Sequence, residues 1–347
     1  MRAARRRPAG RTLPAAANAA GLAFAAAAAP AAPAAPATAG SGPGTTAGPR
    51  TTMTVIASGL DNPRGLNFGP GGVLYVAEAG RGGPGPCIAG AQKQTFCLGP
   101  TGAVTAVSKG RQRRVVTGGL PSLGTPNLSE VLGAHDVAAA HGGLLVPIGL
   151  GTDPARRAQL GPAGAAVATL VKATGQRWRS IADLGAYEAA HDPDQGQPGT
   201  GPDSQPYAVL PDGAGALVVD TGANDLLRVR PGGRISTVAV FDVRTVPGPG
   251  GGEVPMHPVP TSVARGPDGA LYVGRLTGFP FPVGGAGLLS GDPAGALHRV
   301  DRDGTRTLIA GDGLFTPTGV AAGPDGAYYV SNRGTLAGSG EVLRITG

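Results

Sequence analysis

The sequence predicts an all-β fold, a β-propeller of four-stranded antiparallel blades, on three observations. One hairpin phrase recurs: PTSVARGPDGALYV (260–273), PTGVAAGPDGAYYV (317–330) and PRGLNFGPGGVLYV (63–76), with looser copies PYAVLPDGAGALVV (206–219) and HDVAAAHGGLLV (135–146). Pro at the second turn position presets φ near −65°, and Gly at the fourth takes angles that other residues resist. Further strand-like runs follow the copies, giving units of four strands and roughly 40–60 residues. The chain also opens on a lone strand, Thr51–Leu60, which matches Thr305–Leu314 and Arg114–Leu120, runs that follow complete three-strand groups. An N-terminal strand that completes the C-terminal repeat is the mark of a closed ring. Such repeats cannot bury their faces alone, and blades set radially leave only short, protected edges. Five blades are counted.

The elements follow in order. Blade one holds the hairpin at 63–76, a Gly-rich loop at 79–100 and strands at Gly102–Ser108 and Arg113–Thr117. Blade two holds 135–150, Ala165–Lys172 and Arg177–Leu184 around the turn Ala173-Thr174-Gly175, with Trp178 as a packing residue. A polar loop, Gly185–Asp203, allows one helical turn at Tyr187–Ala190. Blade three holds 206–219, Leu226–Arg230 and Arg234–Phe241. A Pro/Gly-rich crossing, Thr245–Pro258, leads to the hairpin at 260–273, then strands at Ala296–Val300 and Thr305–Ala310. The hairpin at 317–330 and the strand Glu341–Ile345 end the chain.

Gly (62) and Pro (34) are abundant enough to suggest disorder, but the regular strand spacing overrules that reading. The formal net charge of +7 includes five arginines in the first eleven residues; without them it is +2. There is accordingly no basic stripe and no nucleic-acid motif. That basic start and the Ala/Leu-rich run after it read as a secretion signal over 1–39, with Ala37-Thr38-Ala39 as the cleavage site. Residues 40–50 read as a flexible linker and 51–347 as one propeller domain. No other stretch reaches the roughly 18 apolar residues of a membrane span. The mature protein is therefore expected to be secreted. Cys87 and Cys97, the only cysteines, share one loop and are expected to form a disulfide.

Strand direction locates a site. Residues just before the first strand of a blade and just after the second share one face, opposite the turns. This rule collects Asn62, Arg64, His135, Asp136, Asp203, Gln205, Tyr207, Thr261, Ser262 and Thr318 from strand starts. From strand ends it adds Glu78, Asp220, Asn224, Asp225, Arg275 and Asn332. Concave channel mouths are where ligands bind. Plainer roles stand beside these: Asn224 and Asp225 as turn caps, His135 and Asp136 as hydrogen-bonded lining, Arg64 as the partner of a neighbouring blade's Asp. Glu78, Asp220 and Asn332 show no local task in the sequence and are the candidate ligands for one divalent cation (Ca²⁺, Mn²⁺ or Zn²⁺). Asp192-Pro193-Asp194 with Asp203 offers carboxylates to calcium, but without a defined spacing it reads as a solvated loop. There is no G-x-S-x-G, H-E-x-x-H or phosphate loop, and no motif dictates a cofactor.

The repeats are similar to those of NHL-type and gluconolactonase-like propellers. The chain resembles more closely the ScyD/ScyE family through SGLDNPRGLNFGPGGVLYVAEAGRGG (58–83), CLGPTGAVTAV (97–107), GAHDV (133–137), PIGLGTDPA (147–155), DSQPYAVL (203–210), NDLLRV (224–229), ISTVAVF (235–241), RLTGFPFPVG (275–284) and GLLSGDPAGAL (287–297). The resemblance implies an exported propeller of mostly unassigned activity and supplies no catalytic residues. It also implies a six-blade pattern. Here FPFPVG and GLLSGDP are separated only by Gly285 and Ala286, so one repeat is missing and the strands at 260–273 and 296–310 are expected to share a hybrid blade. The leading functional expectation is a module binding a small molecule or protein at the channel mouth. A metal-dependent lactonase using Glu78, Asp220 and Asn332 and a quinone-dependent oxidoreductase are the alternatives, resting on fold analogy.

Overall fold

The computed structural model describes residues 51–346 apart from 92, 109–112, 141, 248–251, 266–268, 270, 276–296, 301–305, 311–312 and 336. The expected signal segment, the linker and the FPFPVG–GLLSGDP junction lie outside the described residues. Strand β1 (Thr52–Asp61) does not pair with the strand that follows it. Thr52 stands opposite Thr346 and Val55 opposite Leu343, so the chain's first strand completes its last sheet, as the lone opening run predicted.

The next sheet contains β2 (Pro63–Phe68), β3 (Leu74–Glu78), a short β4 (Cys87–Ala89), β5 (Thr95–Val107), β6 (Arg113–Gly124) and β7 (Val131–Leu132). Its path is β2-β3-β5-β6-β7, with β4 paired to β5. The stretch read as a Gly-rich loop thus contains a small hairpin, in which Cys87 faces Cys97 and the two are joined by a disulfide. The second sheet is β8 (Ala138–Ala140), β9 (Gly143–Ile148), β10 (Thr169–Thr174) and β11 (Arg177–Asp183), all antiparallel. Helix α1 (Leu184–His191) follows directly. It is longer than the single turn expected, because Asp183 caps the Ala186 N–H and Asp192 closes the other end in a left-handed conformation.

The third sheet is β12 (Pro206–Asp212), β13 (Gly215–Asp220), β14 (Asp225–Val229) and β15 (Ile235–Val240) in simple meander order. The crossing after it is not plain coil. β16 (Arg244–Pro247) and β17 (Glu253–Met256) pair with Val246 opposite Val254, the β-branched residues suiting a ladder. Three further hairpins follow: β18 (Pro260–Arg265) with β19 (Leu271–Arg275), β20 (Leu297–Val300) with β21 (Arg306–Ala310), and β22 (Gly319–Ala322) with β23 (Tyr328–Asn332). The last strand, β24 (Ala337–Thr346), lies between β23 and β1. Among the described residues the β18–β19 and β20–β21 pairs are separate two-stranded sheets, and a pairing of β19 with β20 is not among the described ladders.

Five apolar clusters join these units in sequence. Val76's sheet meets the last one through Leu60, Leu66, Leu74 and Val342. The first and second sheets share Val104, Leu120, Val146 and Val171, with Trp178 packed alongside as expected. The second and third share Leu145, Leu170, Val209 and Leu227. Leu217 and Val219 pack on Val263, Leu271 and Val273 of β18–β19. Leu297, Ile309 and Ala310 of β20–β21 pack on Val330 and Leu343 of the last sheet. Each fully buried Leu or Val contributes about 1.5–3 kcal/mol, so the sheets are held mainly by these seams.

Entry into the first strand of a sheet uses a repeated backbone device. Asn62, Val259 and Thr316 adopt φ of 52°, 44° and 42°, and each directly precedes the proline that opens β2, β18 or the stretch before β22. For β-branched Val259 and Thr316 such a conformation costs of order 1–3 kcal/mol. The reversal turns the preceding residues toward the end of the sheet's second strand, where the candidate site residues lie.

Candidate functional site

Glu78, Asp220 and Asn332 occupy equivalent positions at the ends of β3, β13 and β23, and each performs the same task. Glu78 Oε2 accepts the Asp61 N–H at 2.7 Å, and its other oxygen accepts from the Thr105 hydroxyl. Asp220 Oδ1 accepts from the N–H groups of Gln205 (2.6 Å) and Gly222 (3.1 Å), while Oδ2 accepts from Ser204 Oγ (2.6 Å). Asn332 Oδ1 accepts the Phe315 N–H at 2.7 Å and its amide donates to Gly313 O and Glu341. These side chains latch the incoming chain to the second strand of their own sheets. Sequence inspection found no local task for them because the partner lies 15–17 residues away.

Arg64, His135, Gln205, Tyr207 and Asn62 come together. With Glu130 and the neighbouring Ser129, Val131, Leu132 and Thr335 they enclose a cavity of about 20 Å³, room for about one water molecule. β2 presents Arg64, whose guanidinium donates to Gly334 O (2.6 Å) and Val131 O (2.9 Å) and so ties two sheets together. The sequence reading paired Arg64 with a neighbouring aspartate; its hydrogen bonds go to these carbonyls, and the carboxyl acting on its charge is Glu130. Burial lowers the Arg64 pKa and pushes the Glu130 carboxyl up to about 7, against the hydrogen bond from Gln94 and the attraction of Arg64. His135 is buried, its pKa held well below the usual value by desolvation and by Arg64. Its Nε2 lies 3.4 Å from Gln205 Nε2, its ring meets Tyr207 edge-on at 4.9 Å, and its Nδ1 has no partner.

Two glycines make this packing possible. A Cβ on Gly149 would stand 2.6 Å from Gln205 Oε1 and 2.8 Å from His135 Nε2; one on Gly65 would stand 2.1 Å from Asp136 Oδ1. Asp136 is not among the residues around this cavity. It stitches the second sheet to the third, accepting the N–H groups of Val137 (2.8 Å) and Val209 (3.0 Å), and burial pushes its pKa up to about 7. Gln205 Oε1 accepts the Leu150 N–H at 2.8 Å, and Asn62 donates to Gly80 O at 2.7 Å.

A second cluster lies beside the third sheet. Glu188 from α1, Asp192 and Asp194 have carboxylate oxygens within 4.8 Å of one another. Asp203, Asp220 and Asp225 adjoin them, and Glu188, Asp194, Asp203, Asp220 and Asp225 are all buried. The stretch expected to be a solvated loop is therefore folded inward. Asn224 is more than a turn cap: it donates to Asp194 Oδ2 at 2.8 Å and accepts the Val259 N–H at 3.4 Å. Burial followed by mutual repulsion pushes Glu188 up to about 9, and burial pushes Asp194 up to about 7. Asp203 and Asp225 are raised well above the usual range by the same causes, and the charged groups acting on this set are one another and Asp153.

The remaining candidates disperse. Arg275 is exposed at the end of β19, with Thr261 and Ser262 across the same hairpin, and Thr318 donates to Pro63 O at 2.6 Å. Turns of the first three sheets line an open depression of about 960 Å³, with Phe68, Tyr75, Leu144, Pro211 and Arg114 among its residues. Glu130 and Glu188 were missed by the sequence reading. Glu130 belongs to no repeat, whereas Glu188 stands one helical turn before Asp192, a spacing that puts both on one face.

No protein-family profile and no curated protein matches the chain. Among solved structures it is similar to a catalytically inactive virginiamycin B lyase from Staphylococcus aureus with quinupristin, at 12% identity and a TM-score of 0.32, over 82% of this chain and 67% of that one. It is also similar to a candidate 6-phosphogluconolactonase from Bacteroides uniformis (13%, TM-score 0.34, 83% and 69%) and to the soluble aldose sugar dehydrogenase from Escherichia coli in the apo-form (13%, TM-score 0.30, 86% and 99%). Likeness at this level transfers no residue and no activity.

Proposed function

We propose that residues 51–347 form one closed, five-bladed propeller of the ScyD/ScyE type, exported after removal of 1–39, with 40–50 as a linker. It binds a small molecule or a protein at the face where Arg64, His135, Gln205 and Tyr207 meet. Two observations support the ring. β1 completes the last sheet, and five apolar seams link successive units, with β18–β19 on the third sheet and β20–β21 on the last. If those two hairpins make one hybrid blade, five blades have five seams and no open edge.

The observation that carries the binding reading is the cavity at the strand starts, with a buried cation, an amide and the partnerless Nδ1 of His135 around it. Binding is favoured over lactone hydrolysis because Glu78, Asp220 and Asn332 are each engaged in latching their own sheets. A thermal-shift screen of small hydroxy acids, lactones and phenols tests it. A ligand bound at this mouth should lose about tenfold in affinity, or ~1.4 kcal/mol, in both Tyr207→Phe and His135→Gln. Hits that bind both variants as they bind the wild type would place the site elsewhere. Lactone hydrolysis that needs Ca²⁺, Mn²⁺ or Zn²⁺ and is lost in Glu78→Gln would favour the hydrolase instead.

A further inference from the structure

We infer that the acidic cluster beside the third sheet is a calcium site, with Glu188, Asp192 and Asp194 as its ligands and the buried Asp203 and Asp225 adjoining it. The inference is independent of what the mouth binds. Its geometric basis is the group of three carboxylates whose oxygens lie within 4.8 Å of one another. A second observation points to a ligand. Both oxygens of Asp225, which is fully buried, have no hydrogen-bond partner, and neither does Oδ1 of Asp203, itself 3% exposed. Glu188 Oε1, Asp192 Oδ1 and Asp194 Oδ1 are likewise without partners. Buried carboxylate oxygens are ordinarily hydrogen-bonded or answered by a cation. Asp220 shows the ordinary case close by in the same cluster, with its oxygens taken by Ser204 and backbone N–H groups.

The ligand chemistry selects the ion. All the donors are carboxylate oxygens, which suits hard cations and not the thiolate- and imidazole-seeking ones. Calcium takes six to eight oxygens in flexible geometry, so three carboxylates with waters can hold it, whereas magnesium demands near-ideal octahedral order. Glu188 and Asp192 also stand in and just beyond the last turn of α1, where the helix macrodipole disfavours negative charge. A cation there reverses that penalty. Bound calcium would clamp the end of α1 to the 192–194 segment, and through the Asn224 amide on Asp194 to the β13–β14 turn.

Equilibrium dialysis of the full chain against calcium at pH 7.5, after EDTA treatment, is the test. The wild type should bind one Ca²⁺ per chain with an affinity in the range of about 10⁻⁷–10⁻⁴ M. Asp194→Asn and Glu188→Gln should each weaken binding by at least about tenfold. Both variants should melt at or above the wild type in EDTA, because each replaces an acid that faces other acids by its neutral isostere; a purely structural loss would lower the melting temperature instead. Asp325→Asn, which removes a surface carboxylate paired with Arg344, should leave calcium binding unchanged. A wild type that retains no calcium from a 1 mM solution, or binding that survives both core substitutions, would overturn the inference. Terbium bound to the wild type and displaced by calcium would support the same site without any variant.

Discussion

The mouth cluster and the acidic cluster share Gln205 as a neighbour but differ in how their charge is answered. Around Arg64 a single cation is matched by two carbonyls and by Glu130, and one imidazole nitrogen is left over. Around Asp194 five buried or half-buried acids face one another with no countercharge among the groups acting on them. The first arrangement stands without help from outside. The second does not: it must either hold protons well above the normal carboxylate range or take up a cation. The difference teaches that buried polar residues alone do not mark a ligand site; partnerless atoms and unanswered charge do.

Breaking the self-sufficient cluster by overpacking should have the largest effect. Gly65→Ala places a methyl 2.1 Å from Asp136 Oδ1 and 2.9 Å from its Cα, which only backbone movement can relieve. We expect a loss of about 3 kcal/mol or more by chemical denaturation, with calcium binding retained by whatever remains folded. Removing the Cys87–Cys97 bridge touches neither cluster. Cys87→Ser with Cys97→Ser should cost about 2–3 kcal/mol and leave calcium affinity as it is. Asp136→Asn sharpens the contrast from the mouth side. Both carboxylate oxygens accept backbone N–H groups, so an amide must turn a donor toward one of them, at a cost of about 1–3 kcal/mol. The same Asp→Asn change at Asp225, where no donor is lost, should be neutral or stabilising in EDTA.

The last prediction concerns pH. Glu130 has its pKa pushed up to about 7 in the folded protein against an ordinary value of 4.5. A raised carboxyl contributes stability that is fully present below the unfolded value and is lost as pH rises through the folded one. Stability should therefore fall between about pH 4.5 and 7 through this group, and Glu130→Gln should flatten that part of the profile. A variant profile parallel to that of the wild type would show that Glu130 ionises normally.

Much of the architecture was legible in the sequence, because a hairpin phrase with Pro and Gly at fixed places fixes its own turn and repeats visibly. The lone strand Thr51–Leu60 announced its partner because it matched runs at the ends of other repeats. Convergence of Asn62, Arg64, His135, Gln205 and Tyr207 followed from strand direction alone. The latching role of Glu78, Asp220 and Asn332 did not, since it depends on left-handed residues such as Asn62 and Thr316 that redirect the preceding N–H groups. The burial of Asp194 and Asp203 was equally hidden: Asp192-Pro193-Asp194 has the composition of a surface loop, and Asp194 is held inward beside α1 by Asn224.

The most direct test of the unanswered charge is the melting temperature of the wild type at pH 7.5 as free calcium rises from an EDTA baseline to 1 mM. Once calcium exceeds the dissociation constant, each tenfold increase should add about 1.4 kcal/mol of stability, or some 2–4 °C per kcal/mol for a domain of this size. The account predicts a melting temperature that climbs with the logarithm of calcium in the wild type and is flat for Asp194→Asn over the range where the wild type responds. A wild-type melting temperature that does not move between EDTA and 1 mM calcium would contradict it.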